Sequence, residues 1–290
     1  MMETKVKILV LGATGMLGNA LLRYFARSVG FDTIGSARSA VAVNLLPTSL
    51  RERVVCGIDV DDMNHLTQLF SQVRPDVVVN CIGLVRQLAD ANDPLLAIPI
   101  NALLPHRLAR LSEATGARLI QIGTDCVFDG ARGMYVETDH ANATDLYGLS
   151  KYLGEVDYPH AVTLRTSMIG HELSSAAHGL IGWFLGQTGE IKGFTRAVFS
   201  GLPTVELAHV IRDYVIPHPD LQGLYHVSAE PISKHDLLRL VADVYGKNIQ
   251  IAPDDKVVID RSLDSKRFRA RTGYVPPSWP ELVRSMHAFG

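Results

Sequence analysis

Through about residue 165 the chain repeats one pattern, a short β-branched apolar run followed by a longer stretch with helical spacing. The runs are "KVKILVLG", "FDTIGSA", "RVVCGI", "DVVVNCIG" and "ARLIQIG", with "MLGNALLRYFARS", "DMNHLTQLFSQV" and "NALLPHRLARLSEAT" among them. Near-continuous apolar runs suit strands buried on both faces, and regular alternation with helices calls for parallel pairing with helices on either side. The expected fold is α/β, a Rossmann-type doubly wound parallel sheet whose ligands sit at the carboxyl ends of the strands. After residue 170 the alternation loosens into shorter elements separated by Gly or Pro, which predicts a smaller C-terminal α/β lobe. The expected division is 1–170 and 171–290, approximate, with the chain free to cross back.

At 290 residues and 47% hydrophobic content, the chain can bury a substantial core. A net charge of −2, without basic runs interleaved with aromatics, argues against a nucleic-acid partner. No apolar run approaches the roughly 18 residues of a membrane span, and the opening apolar run is broken by glycines after about eight residues, unlike a signal peptide. Three cysteines, Cys56, Cys81 and Cys126, form no C-x-x-C, and the 11 histidines form no H-E-x-x-H. Neither a disulfide framework nor a metal site is expected, and a cytoplasmic location is.

"LVLGATGMLGNALL" places Gly12, Gly15 and Gly18 three apart, between the first strand and the first helix. Such a turn lets backbone approach a pyrophosphate while the helix N-terminus faces it, so Gly12, Thr14, Gly15, Met16, Leu17 and Gly18 are expected to line a dinucleotide. The second strand ends in Arg38 and Ser39, without the Asp or Glu that would bind an NAD ribose. A guanidinium there suits a 2′-phosphate, which favours NADPH, with NADH as the other option. Asp59 and Val60 in "CGIDVDD" and Asn80, Cys81, Ile82 and Gly83 in "NCIG" complete the expected cofactor side. Asp59 has the alternative reading of a helix cap.

In "DLYGLSK", Tyr147 and Lys151 stand four apart, on one face if the segment is helical, and "LIQIGTDCVFDG" puts Thr124 just past a buried strand. The order and spacing of the glycine turn, Thr124, Tyr147 and Lys151 resemble the extended short-chain dehydrogenase/reductase family. "GTDCVFDG", "MYVETD", "DLYGLSKYLGE" and "LRTSMIG" are similar to blocks of its dTDP-4-dehydrorhamnose reductase branch, and the resemblance covers most of the chain. It implies Tyr147 as acid and Thr124 as a second donor to the same oxygen. Lys151 would contact the nicotinamide ribose and favour the phenolate; Tyr147 and Lys151 thus also belong to the cofactor set.

The implied reaction is NADPH-dependent reduction of a nucleotide-linked 4-keto-6-deoxy sugar for surface polysaccharide synthesis. Related dehydratases carry Asp-Glu after the Thr; this chain has Asp125-Cys126, which disfavours elimination. Cys126 and Met168 stand where the branch usually has Tyr and Trp, so the sugar is open. Asp125, Cys126, Met168, Arg165 and Arg261 are the substrate-binding candidates. Arg196 and Arg267 are further choices for a diphosphate, and Trp183 or Phe184 for a base. Two alternatives stand beside this reading: a nucleotide-sugar epimerase, and a non-catalytic regulatory subunit resembling the beta subunit of methionine adenosyltransferase. The oligomeric state is open, with a homodimer as one option.

Overall fold

The computed structural model describes residues 5–85, 92–173 and 179–290. Six parallel strands come from the alternating part of the chain: β1 (Val6–Leu11), β2 (Phe31–Ala37), β3 (Val54–Cys56), β4 (Val77–Asn80), β5 (Arg118–Ile122) and β6 (Ala161–Arg165). Between them run α1 (Met16–Ala26), the short α2 (Ala40–Val43) and α3 (Thr48–Arg51), α4 (Met63–Val73), α5 (Pro94–Ala97), α6 (Leu104–Thr115) and α7 (Leu146–Leu153). A π-helical stretch, Ile98–Leu103, joins α5 to α6.

The remaining strands are β7 (Met168–Ile169), β8 (Glu190–Phe194), β9 (Ala197–Phe199), β10 (Leu202–Pro203), β11 (Gly223–His226), β12 (Ile232–Ser233), β13 (Gln250–Asp254) and β14 (Ile259–Asp260). The later helices are α8 (Leu180–Gly186), α9 (Thr204–Val210), α10 (Lys234–Tyr245), α11 (Lys266–Thr272) and α12 (Trp279–Phe289).

The large sheet has seven strands in the order β11-β6-β5-β4-β1-β2-β3, all parallel. The order reverses between β1 and β4, which opens a crevice at their carboxyl ends where an α/β sheet takes its ligand. One apolar layer packs α1 and α9 against one face through Ile8, Leu21, Phe25 and Leu207; the other packs α4 and α6 through Leu66, Phe70, Leu104 and Leu108. Helices start where the sequence supplies acceptors: Asp62 caps α4 through the Asn64 N–H at 2.8 Å, and Asp145 caps α7 through the Gly148 N–H at 2.7 Å. Gly116, with φ of +73°, ends α6 in the left-handed conformation that suits glycine.

The chain crosses back to the large sheet after residue 170. Helix α9 packs on α1, and β11 pairs with β6. Arg118 fastens this return at the start of β5, donating to the Val215 carbonyl at 2.7 Å and the Leu221 carbonyl at 3.0 Å. The remaining elements form small sheets, β7-β10, β12-β9-β14 and β8-β13, around a separate apolar cluster with α8, α10 and α12.

Candidate active site

The glycine turn after β1 shows why its residues are small. Gly12 sits at φ +78°, and a Cβ on Gly18 would collide with the Gly12 carbonyl, so α1 lies directly on the turn. Helix α1 begins at Gly15 with no side-chain cap and no acidic residue in its first turn. Its first N–H groups are therefore left to an anion, as a bound pyrophosphate needs. Gly15 is exposed, while Thr14 and Met16 are half-buried at the rim. The side chains of Leu17 and Val60 belong to the core, which leaves only their backbone for a cofactor.

Arg38 and Ser39 are exposed just past β2, on the same edge of the sheet as the glycine turn. Asp59 is exposed too, and it accepts from the Asp61 N–H at 3.1 Å; the cap of α4 is Asp62 instead. After β4, Asn80 turns its side-chain oxygen onto the Ile82 N–H at 3.1 Å, shaping the loop through Gly83. Ile82 lies against Gly12, and Gly83 leaves room beside the Lys151 ammonium, 3.7 Å from where a Cβ would stand.

Helix α7 presses onto a 3-10 turn, Asp125–Val127, capped by Thr124, whose hydroxyl accepts from the Cys126 N–H at 3.2 Å. Gly148 permits this contact, since a Cβ there would stand 2.5 Å from the Cys126 carbonyl oxygen. The fit brings the Thr124 hydroxyl, which donates to Asp125 at 3.3 Å, close to the Tyr147 phenol. Burial, followed by the nearby Cys126, raises the phenol's pKa above its ordinary value and keeps the proton in place, while Thr124 opposes the shift. Lys151 is buried one turn later and donates to the Ile122 carbonyl at 2.9 Å. Burial lowers its pKa to about 8, against the upward pull of Glu155 and Cys81.

Arg261, just past β14, reaches back from the smaller lobe. It donates to the Phe128 carbonyl at 2.7 Å and lies 3.9 Å from the Cys126 sulfur. Burial raises the Asp125 carboxyl's pKa despite Arg261 nearby, and it pushes the Cys126 thiol up to about 11. Thr124, Asp125, Cys126, Tyr147, Lys151 and Arg261 thus form one cluster beside the loop Asn80–Gly83. Met168 is half-buried on β7.

Two expectations need correction. Arg165 is not available to a diphosphate, because its side chain is 3% exposed and grips Glu155 with two hydrogen bonds of 2.6 and 2.7 Å. Its remaining amino group meets His226 Nε2 at 3.3 Å. Phe184 is fully buried in the core and cannot stack on a base, whereas Trp183 on the same helix is 42% exposed. Arg196 and Arg267 are exposed, and Arg267 lies over the Tyr225 ring.

Two residues went unnoticed in the sequence. Asn101, buried in the π-helical stretch, accepts from the Leu84 N–H at 2.9 Å and donates to the Ser150 hydroxyl at 3.2 Å, tying the loop after β4 to the helix carrying Lys151. Gln121 is buried near the end of β5 and donates to the carbonyl that Lys151 uses. An amide inside an apolar run was the available signal, because a buried amide must find partners.

The geometry has relatives. A family model described as the RmlD substrate binding domain matches residues 6–288. Methionine adenosyltransferase 2 subunit beta from Mus musculus is 32% identical over 315 residues, covering 96% of this chain and 88% of that protein. dTDP-4-dehydrorhamnose reductase from Salmonella typhimurium is 26% identical over 310 residues, covering 97% of each. The crystal structure of dTDP-4-dehydrorhamnose reductase from Bacillus anthracis in complex with NADP matches with a TM-score of 0.79 at 21% identity, covering 98% of this chain and 99% of that one. At that identity the structural match speaks to the fold.

Proposed function

The chain belongs to the RmlD substrate binding domain family, and on that premise we propose that it is an oxidoreductase that reduces the ketone of a nucleotide-linked 4-keto-6-deoxy sugar. NADPH is the reductant of choice, and the product would feed surface polysaccharide synthesis. The observation that carries this reading is the half-buried Tyr147 phenol, held protonated beside Thr124 and one turn from the buried Lys151 ammonium.

A nicotinamide cofactor, when held at the glycine turn, would supply the hydride. As a carbonyl carbon receives it, negative charge grows on oxygen, and a donor already in place there lowers the barrier. Tyr147 holds the proton that this oxygen takes. Thr124 offers a second hydrogen bond to the same oxygen, and the positive Lys151 favours the phenolate left behind.

For the cofactor, the open N-terminus of α1 suits the pyrophosphate and exposed Arg38 suits a 2′-phosphate. For the sugar, Asp125, Cys126 and Met168 would line the pocket, while Arg261 would hold the diphosphate from the smaller lobe. We take residues 1–170 as mainly the cofactor-binding part and 171–290 as mainly the substrate-binding part. A homodimer has support from Leu149, Tyr152 and Leu153, which put an exposed apolar face on α7. Among the described residues no helix is long and apolar enough to cross a membrane, and no cluster suited to a metal ion occurs.

The test is NADPH oxidation across a panel of enzymatically prepared nucleotide 4-keto-6-deoxy sugars. Turnover with one of them is expected. Cofactor binding without turnover of any would sink the substrate assignment. Retained NAD with no net oxidation would then favour an epimerase. The similarity to methionine adenosyltransferase 2 subunit beta favours a second reading, a regulatory subunit, which predicts co-purification with a larger catalytic partner.

A further inference from the structure

Asn80 and Gln121 are two amides at the ends of neighbouring strands, 0% and 2% exposed, in strands that are otherwise mainly apolar. Burying an amide without partners is costly, and each of these is matched. Their orientations follow from chemistry. The Ile82 backbone N–H can only donate, so Asn80 must present its oxygen there, at 3.1 Å. The Asn80 NH₂ then donates to the Gln121 side-chain oxygen at 2.8 Å, which leaves the Gln121 NH₂ to donate to the Ile122 carbonyl at 3.2 Å. That carbonyl also receives the Lys151 ammonium, at 2.9 Å.

We propose that Gln121 is a positioning residue for Lys151: it pins the carbonyl that seats the ammonium and, through Asn80, ties that seat to the cofactor-side loop Asn80–Gly83. The chain of bonds is continuous from the Ile82 backbone to Lys151 Nζ. Where the loop Asn80–Gly83 settles, it therefore fixes where the ammonium stands. Around Lys151 the other groups are Cys81 from the same loop, Tyr147 one turn earlier and Glu155 one turn later; Glu155 is already paired with Arg165. None of these replaces the carbonyl as the ammonium's hydrogen-bond acceptor.

Two substitutions push in opposite directions. Gln121→Met keeps the side chain's length and removes the bond that holds the carbonyl, so the buried ammonium is less well seated and loses its proton more readily. Gln121→Glu can keep the bond from Asn80. It also brings a carboxylate to within about 6 Å of the ammonium, close enough to raise its pKa by roughly a unit or more.

The test is the titration of Lys151 by NMR in protein labelled with [ε-13C]lysine, its resonance identified by loss in Lys151→Arg. The expected order of midpoints is Met below Gln below Glu. A kcat roughly tenfold lower or more is expected for Gln121→Met, with NADPH Kd within about threefold of wild type. A purely structural amide pair would lower Tm and leave the Gln121→Met midpoint at the wild-type value. Gln121→Met and wild-type midpoints agreeing within about 0.2 unit overturn the proposal. If Gln121→Met does not fold, Gln121→Leu, which likewise lacks the amide donor, decides in the same way against wild type. The proposal rests on the reductase reading only for the kcat arm: a wild type that turns over no substrate defeats that reading, while the midpoints still decide the role of Gln121.

Discussion

Tyr147 and Lys151 divide one task between a group that must keep its proton and a group that must keep its charge. Burial serves the first and opposes the second: it raises the phenol's pKa and brings the ammonium's down to about 8. The alkaline limb of activity therefore belongs to Lys151. The kcat/KM profile should hold below pH 8 and fall above it as the ammonium deprotonates; a limb at pH 10 or beyond would mean the charge is irrelevant. Tyr147→Phe should lower kcat by about 10²–10⁴-fold while NADPH binding persists, read by single-turnover kinetics and equilibrium titration. The spacing of this pair was legible in the sequence because helical periodicity alone puts i and i+4 on one face. The occupation of Arg165 was not, since nothing in a linear chain shows that its guanidinium meets a carboxylate ten residues earlier.

At the scale of elements, α1 and α7 are each set by a glycine that lets a helix touch neighbouring backbone. Gly18→Ala would drive a methyl into the Gly12 carbonyl, destabilising the fold by about 1–3 kcal/mol and abolishing cofactor binding, measurable by urea unfolding and calorimetric titration. The end of α7 is fastened to β6 by the Glu155–Arg165 pair, whose side chains are only 12% and 3% exposed. Arg165→Met should cost about 3–5 kcal/mol in urea unfolding, because it leaves a buried carboxylate unpaired; adding Glu155→Leu should recover most of it. The existence of α1 was readable from its helical spacing after the glycine turn, and α7 was the condition on which Tyr147 and Lys151 share a face. The small strands β7, β10, β12 and β14, two residues each, carry no periodicity and exist only through their partners.

Across the whole molecule, the return of the chain to the large sheet buries His226 between Arg165 and the Tyr135 carbonyl. Burial, aided by Arg165, lowers its pKa from 6.5 to about 4. Between those two values the unfolded chain takes up a proton that the folded chain refuses. Stability should therefore fall as pH drops from 6.5 toward 4, with this contribution level below that; His226→Gln should flatten the slope of unfolding free energy in that window. The sequence by itself determined the parallel alternating sheet, the glycine turn and the Tyr147–Lys151 spacing, because each follows from periodicity or from backbone freedom within a few residues. Only the tertiary structure decided which arginines are free, that Arg261 rather than Arg165 reaches the cluster, and that Gln121 shares a carbonyl with Lys151. Those depend on contacts between residues far apart in the chain, where partnership is fixed by packing and not by pattern.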